Sequence, residues 1–136
     1  MVNYNLKEIE GIGPANSRKM QTAKIQTVRG LLKKGGTPKG RKELAERTGL
    51  SESVILKWVN MADLFRVKGI GKEYSELLEK SGVDTVKELA TRRPDRLYAK
   101  IAETNDRDKL TTKPPTQAMI EDWVRQAKGL KPILTY

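Results

Sequence analysis

The chain has 136 residues and carries 27 Lys plus Arg against 17 Asp plus Glu, a net charge of +10, with neither Cys nor His. That balance favours a polyanionic partner over a neutral one. The two missing residue types exclude a disulfide framework, zinc held by thiolate or imidazole, thiol nucleophiles and His-based triads, so no metal and no cofactor are expected. No apolar run approaches the roughly 20 residues that span a bilayer. The polar start over residues 1–5 does not read as a signal peptide. A cytoplasmic protein without a membrane partner is the expectation.

In chain order, Asn5-Leu6-Lys7-Glu8 has the spacing of a capping box, Asn5 accepting a helix N–H and Glu8 reaching back. The short helix it opens is expected to end at Gly11. Gly11-Ile12-Gly13 then reads as a tight turn: two glycines tolerate positive φ, and Ile12 between them can plug the core. Pro14 suits the first position of a following helix, on which Ser17 and Met20 face inward. Thr27 caps a helix carrying Val28, Leu31 and Leu32 that stops at Gly35-Gly36. Thr37-Pro38 opens the next helix, with Leu44 and Ala45 on its apolar side, and Thr48-Gly49-Leu50-Ser51 turns into another. Ser51 caps that one, and Val54, Ile55, Trp58, Val59, Ala62 and Leu64 follow helical spacing along it.

From Val67 the chain repeats itself. Gly69-Ile70-Gly71 lies 58 residues after Gly11-Ile12-Gly13, and without a gap Ser17 falls on Ser75, Met20 on Leu78 and Thr27-Val28 on Thr85-Val86. Allowing the second copy seven extra residues, Trp58-Val59 falls on Trp123-Val124. The extra residues sit in a polar loop over 105–115, with no glycine where Gly49 would align. Thr116 caps a last helix carrying Met119, Ile120, Trp123 and Val124, which Gly129 ends. The expected fold class is therefore all-α: a tandem duplication of a unit of four to five helices. Its units are residues 1–64, which are basic, and residues 65–136, which are partly eroded. Halves of roughly 65 residues are marginal alone, so the copies are expected to share an interface. Trp58 and Trp123, at apolar helical positions, are expected in the core. Phe65 and Tyr74 are isolated along the chain and are not expected to make a base-stacking surface.

Helix, Gly-hydrophobe-Gly turn, helix, with a small residue four past the second glycine, is the pattern over Gly11 to Met20. It resembles the helix-hairpin-helix motif. The layout of residues 6–64 is similar to the N-terminal helical domain of archaeal and eukaryotic recombinases and to the C-terminal domain of the bacterial RNA polymerase alpha subunit. The whole chain resembles a bacterial family of tandem hairpin domains of uncharacterised activity. The resemblance implies SAM-domain-like units and contact to DNA without regard to sequence.

Charge supports that direction. From Gly11 to Lys42 there are nine basic residues (Arg18, Lys19, Lys24, Arg29, Lys33, Lys34, Lys39, Arg41 and Lys42) and no acid. A solvated face ordinarily mixes signs. Outward N–H groups at the glycine turn can hold a phosphate, and Arg18 and Lys19 can take its neighbour. The candidate nucleic-acid-binding residues are Gly11, Ile12, Gly13, Arg18, Lys19, Lys24, Arg29, Lys33 and Lys34, gripping the backbone without reading bases. Gly69, Gly71 and Lys72 are their counterparts in the second copy. There Lys72 and Lys80 meet Glu73, Glu76 and Glu79, two cations against three anions, which weakens a phosphate site.

Two other readings compete. The chain could be a protein-docking adaptor or structural helical module, with a protein partner on the second unit. If the nine cations share one face with the turn, nucleic acid is favoured; if they scatter, docking is. Residues 42–60 also fit a helix-turn-helix regulator, although the second helix is expected to expose Glu52, Ser53, Lys57, Asn60 and Asp63, a poor set for a groove rich in acceptors. Catalysis is not expected. Gly35 to Lys42 has Arg41-Lys42 where a P-loop needs Lys-Ser/Thr. Hairpin-containing glycosylases place a catalytic Asp downstream, and no Asp stands between Gly11 and Asp63.

Overall fold

The computed structural model describes residues 4–136, so Met1, Val2 and Asn3 of the polar start lie outside the described residues. The described residues are all-helical, as expected, with a one-turn 3-10 helix, eight α-helices and a single isolated bridge between Asn5 and Thr27. None of these helices is long and apolar enough to cross a membrane.

Two compact units divide the chain. One comprises the described residues through Asp63 together with Ile133–Tyr136; the other is Leu64–Pro132. The first holds the 3-10 helix Leu6–Glu8, α1 (Gly13–Thr22), α2 (Val28–Gly35), α3 (Pro38–Thr48) and α4 (Glu52–Leu64), whose last residue marks the boundary. The second holds α5 (Lys72–Lys80), α6 (Val86–Ala90), α7 (Pro94–Asp108) and α8 (Gln117–Gly129). The last four residues thus belong with the first unit, whereas the sequence assigns them to 65–136. Arg41 supplies the reason. Its side chain is buried and donates to the carbonyls of Gly35 at 2.9 Å and Thr135 at 2.7 Å, while Thr135 N–H donates to Gly36 O at 2.8 Å. A buried guanidinium needs such acceptors, and the tail provides one.

Helix starts follow local chemistry. The hydroxyls of Thr27, Thr37, Ser51, Thr85 and Thr116 accept from the N–H three residues on, at 3.0–3.2 Å. Each cap is worth about 1 kcal/mol. The capping box at Asn5 is only half made. Asn5 Oδ1 accepts from Lys7 N–H at 3.0 Å, and the segment is one 3-10 turn closed at Ile9, short of Gly11. Ile9 is already extended, which ends the turn. Val54, expected on the apolar side of α4, is exposed, whereas Ile55, Trp58, Val59 and Ala62 are buried.

The loop expected over 105–115 is shorter and better held. α7 runs on to Asp108 and ends at Lys109, left-handed at φ +53, whose N–H donates to Asn105 O. Gly49 ends α3 the same way at φ +76, so a lysine fills a glycine's place at a cost. The buried Asn105 side chain then exchanges two hydrogen bonds with Thr111, at 3.0 and 3.1 Å. Thr111 Oγ1 donates to Glu73 at 2.8 Å and Tyr74 OH to Lys113 O at 2.7 Å. The core of this unit includes Leu64, Val67, Ile70, Leu78, Leu89, Ile101, Ile120 and Trp123.

Candidate nucleic-acid interface

Both glycines of the first turn are left-handed, Gly11 at φ +92 and Gly13 at φ +58, and both are exposed, while Ile12 between them is buried. α1 begins at Gly13 with Pro14 in its first turn. No side chain caps it and no acid lies in that turn, so its leading amides keep the helix's positive end undiluted. α2, α3, α6 and α8 each have a threonine cap in that place. One face of α1 buries Ser17 and Met20, which leaves Arg18 and Lys19 exposed. Lys24, just past the helix, is left-handed at φ +63 and exposed.

The second turn is built differently. Gly69 matches Gly11 at φ +97, but Gly71 is extended at φ −119 and ψ −153, and α5 starts one residue later with Glu73 in its first turn. Gln126 from α8 clasps this turn: Lys68 N–H donates to its Oε1 at 2.9 Å, and its Nε2 donates to Lys68 O at 3.1 Å. Position 71 therefore lacks the left-handed geometry expected of a faithful repeat. Gly69 and Lys72 are exposed, and the acid in the first turn of α5, Glu73, accepts from Thr111.

The nine cations of residues 11–42 do not form one field. Arg41 points inward. On α2 the buried residues are Val28, Leu31, Leu32 and Gly35, so Arg29 and Lys33, one turn apart, share one flank and Lys34 takes the other. Lys34 lines a cavity of about 340 Å³ that it shares with Glu43, Glu46 and Arg47. A count along the chain ignores these directions. On α4, the exposed side chains Glu52, Ser53, Val54 and Lys57 offer little to a major groove, while Asn60 is half-buried and Asp63, expected on the exposed face, is buried among the last turn's apolar residues. Trp58 and Trp123 are buried, Phe65 is buried too, and Tyr74 packs on Trp123 with ring centroids 5.2 Å apart. Among the described residues no three His, Cys, Asp or Glu side chains gather as a metal group.

A family model described as a domain of unknown function, DUF4332, matches residues 10–130. The chain belongs to that family. The DUF4332 match opens at Glu10, directly before the first glycine turn, and closes just past α8, so it takes in helices of both units. No curated protein and no solved structure matches the chain. One basic group of this DUF4332 chain belongs to no motif in the sequence. Arg92, Arg93, Arg96 and Lys100 line a single cavity of the second unit. The i, i+4 spacing of Arg96 and Lys100 was the available signal.

Proposed function

We propose that this DUF4332 protein binds nucleic acid, DNA in the first instance, through the backbone and without sequence preference, using the first glycine turn with Arg18 and Lys19. The observation that carries the reading is the uncapped, acid-free start of α1 at two exposed left-handed glycines, with two exposed cations one turn further on. Phosphate oxygens accept from such amides and gain from the helix dipole. We read both turns as helix-hairpin-helix motifs, like those of the recombinase N-terminal domain, and the chain as their tandem duplication. Three pairs 58 residues apart support this. Gly11 and Gly69 are both left-handed, Lys24 and Gly82 likewise, and Thr27 and Thr85 both cap. Lys24, Arg29 and Lys33 extend the grip; Lys34, beside two carboxylates, contributes least.

One observation favours docking to a protein instead, namely the division of the basic residues among several directions. Fluorescence anisotropy separates the two readings. Short single-stranded and duplex DNA are titrated across a salt series with the parent protein and with Arg18→Ala/Lys19→Ala. The expected result is affinity indifferent to sequence, a log–log salt slope of about −3 to −4, and a slope flatter by about two in the variant. A variant that binds as well as the parent makes the turn scaffolding and turns attention to a protein partner.

A further inference from the structure

The second unit contains a cavity of about 520 Å³ whose lining includes Gly82, Arg92, Arg93, Arg96, Leu97 and Lys100. Four cations line it and no carboxylate does. Two of the lining cations pair with acids outside the lining: Glu88 is 3.8 Å from the Arg92 guanidinium and Asp95 is 3.1 Å from that of Arg93. A hydrogen bond from Arg96 N–H, with the charge of Arg93, holds the Asp95 carboxyl below the usual carboxylate range. That carboxylate already occupies the start of α7, so the helix end itself is not the site. Arg92 is fixed at the wall by donation to Gly82 O at 3.1 Å. Arg96 and Lys100, one turn apart on α7, have no ion-pair partner among the described residues.

The geometry points to a second phosphate-binding basin in this cavity, taking successive phosphates of a nucleic-acid strand. Gathering cations on one wall costs self-repulsion that a bound anion removes. Guanidinium forks match phosphate oxygens. The step from Arg96 to Lys100 covers about 6 Å of helix, which spreads the charge along a strand instead of focusing it on one ion. Leu97 is the one large apolar residue of the lining and no aromatic ring belongs to it. A base or an apolar peptide side chain finds nothing there to stack on. The basin shares with the proposed function only its class of ligand.

The test uses the full chain and a short oligothymidine strand at about 50 mM salt, where phosphate contacts weigh most. Arg96→Ala/Lys100→Ala, with its fold checked by circular dichroism, is expected to weaken binding about tenfold and to flatten the salt slope by about 1.4. In isotope-labelled protein the amide signals of Gly82, of residues 91–93 and of residues 95–97 are expected to move on titration, and to stay still in the variant. Parent-like binding by the variant, or unmoved amides in the parent, overturns the basin. If only Arg18→Ala/Lys19→Ala weakens binding, the basin falls and the first turn stands. Should only Arg96→Ala/Lys100→Ala weaken it, the reverse holds. A parent that does not bind the strand ends both.

Discussion

One cavity in each unit is lined in part by residues 58 positions apart: Ala23 and Ser81, Lys34 and Arg92. Their charges differ. In the first unit Glu43 and Glu46 stand with Lys34 and Arg47; in the second, four cations line the wall with no carboxylate among them. Along the chain the order is reversed, since the acid-free run belongs to the first unit and Glu88 and Asp95 interrupt the cations of the second. Folding turns those two acids out of the lining and brings two others in. Local charge density is therefore a property of a surface, and a linear count mistakes which unit has the denser wall.

Substitutions can break or sharpen this contrast. Gly40 lines only the first cavity, and a Cβ there would collide with the backbone carbonyl of Lys34. Backbone cannot step aside cheaply, so Gly40→Ala is expected to cost about 2–3 kcal/mol in urea unfolding. An unchanged midpoint would show that α2 and α3 are free to part. The turns come next. A Cβ on Gly69 would lie 3.1 Å from Trp123 Nε1, and one on Gly11 would lie 3.6 Å from Trp58 Nε1, both at left-handed φ. Gly69→Ala is expected to cost about 2 kcal/mol and Gly11→Ala about 1 kcal/mol, the positive φ supplying the shared part. Equal costs would mean that the tryptophan contact is immaterial.

Recharging the first cavity tests charge directly. Glu43 and Glu46 are exposed, and Glu43→Lys/Glu46→Lys is expected to raise affinity for single-stranded DNA about tenfold at about 50 mM salt. No gain would assign the second basin's role to its shape. A smaller effect is expected at the ends of α1 and α5, where Lys24 and Gly82 share a left-handed backbone. Lys24→Gly should stabilise by about 0.5 kcal/mol and Gly82→Lys destabilise by about 1 kcal/mol, read from thermal melts.

Acid should act least, and on the second unit. Asp95 is held below the ordinary carboxylate range chiefly by the Arg96 N–H, and Asp108 chiefly by the Arg107 side chain. A depressed folded pKa stabilises above the unfolded value and is lost as pH falls through the lowered one. With no His in the chain, melting is expected to be flat from about pH 8 to about pH 5 and to drop below about pH 4, the ordinary carboxylate value. A step near neutral pH would contradict this.

Much of the fold was legible because it is written locally. The caps at Thr27, Thr37, Ser51, Thr85 and Thr116 need only an oxygen placed before a helical run, and buried Trp58 and Trp123 need only helical spacing. The turn at Gly11 and Gly13 follows from the missing Cβ. Where the reading failed, a residue distant in sequence intervened. Gly71 is extended in a turn that Gln126 clasps, Asn105 and Thr111 tie down the segment read as a loop, and Arg41 is drawn inward by carbonyls that include Thr135.

The sequence by itself determined the helical class, the helix starts, the first glycine turn and the excess of positive charge, since each depends on residues within one or two turns of one another. The tertiary structure alone decided which cations share a wall, which one is buried and where the tail lies. Those outcomes depend on direction and on partners far along the chain. Electrostatics acts over a few ångströms of space, whatever the distance in sequence.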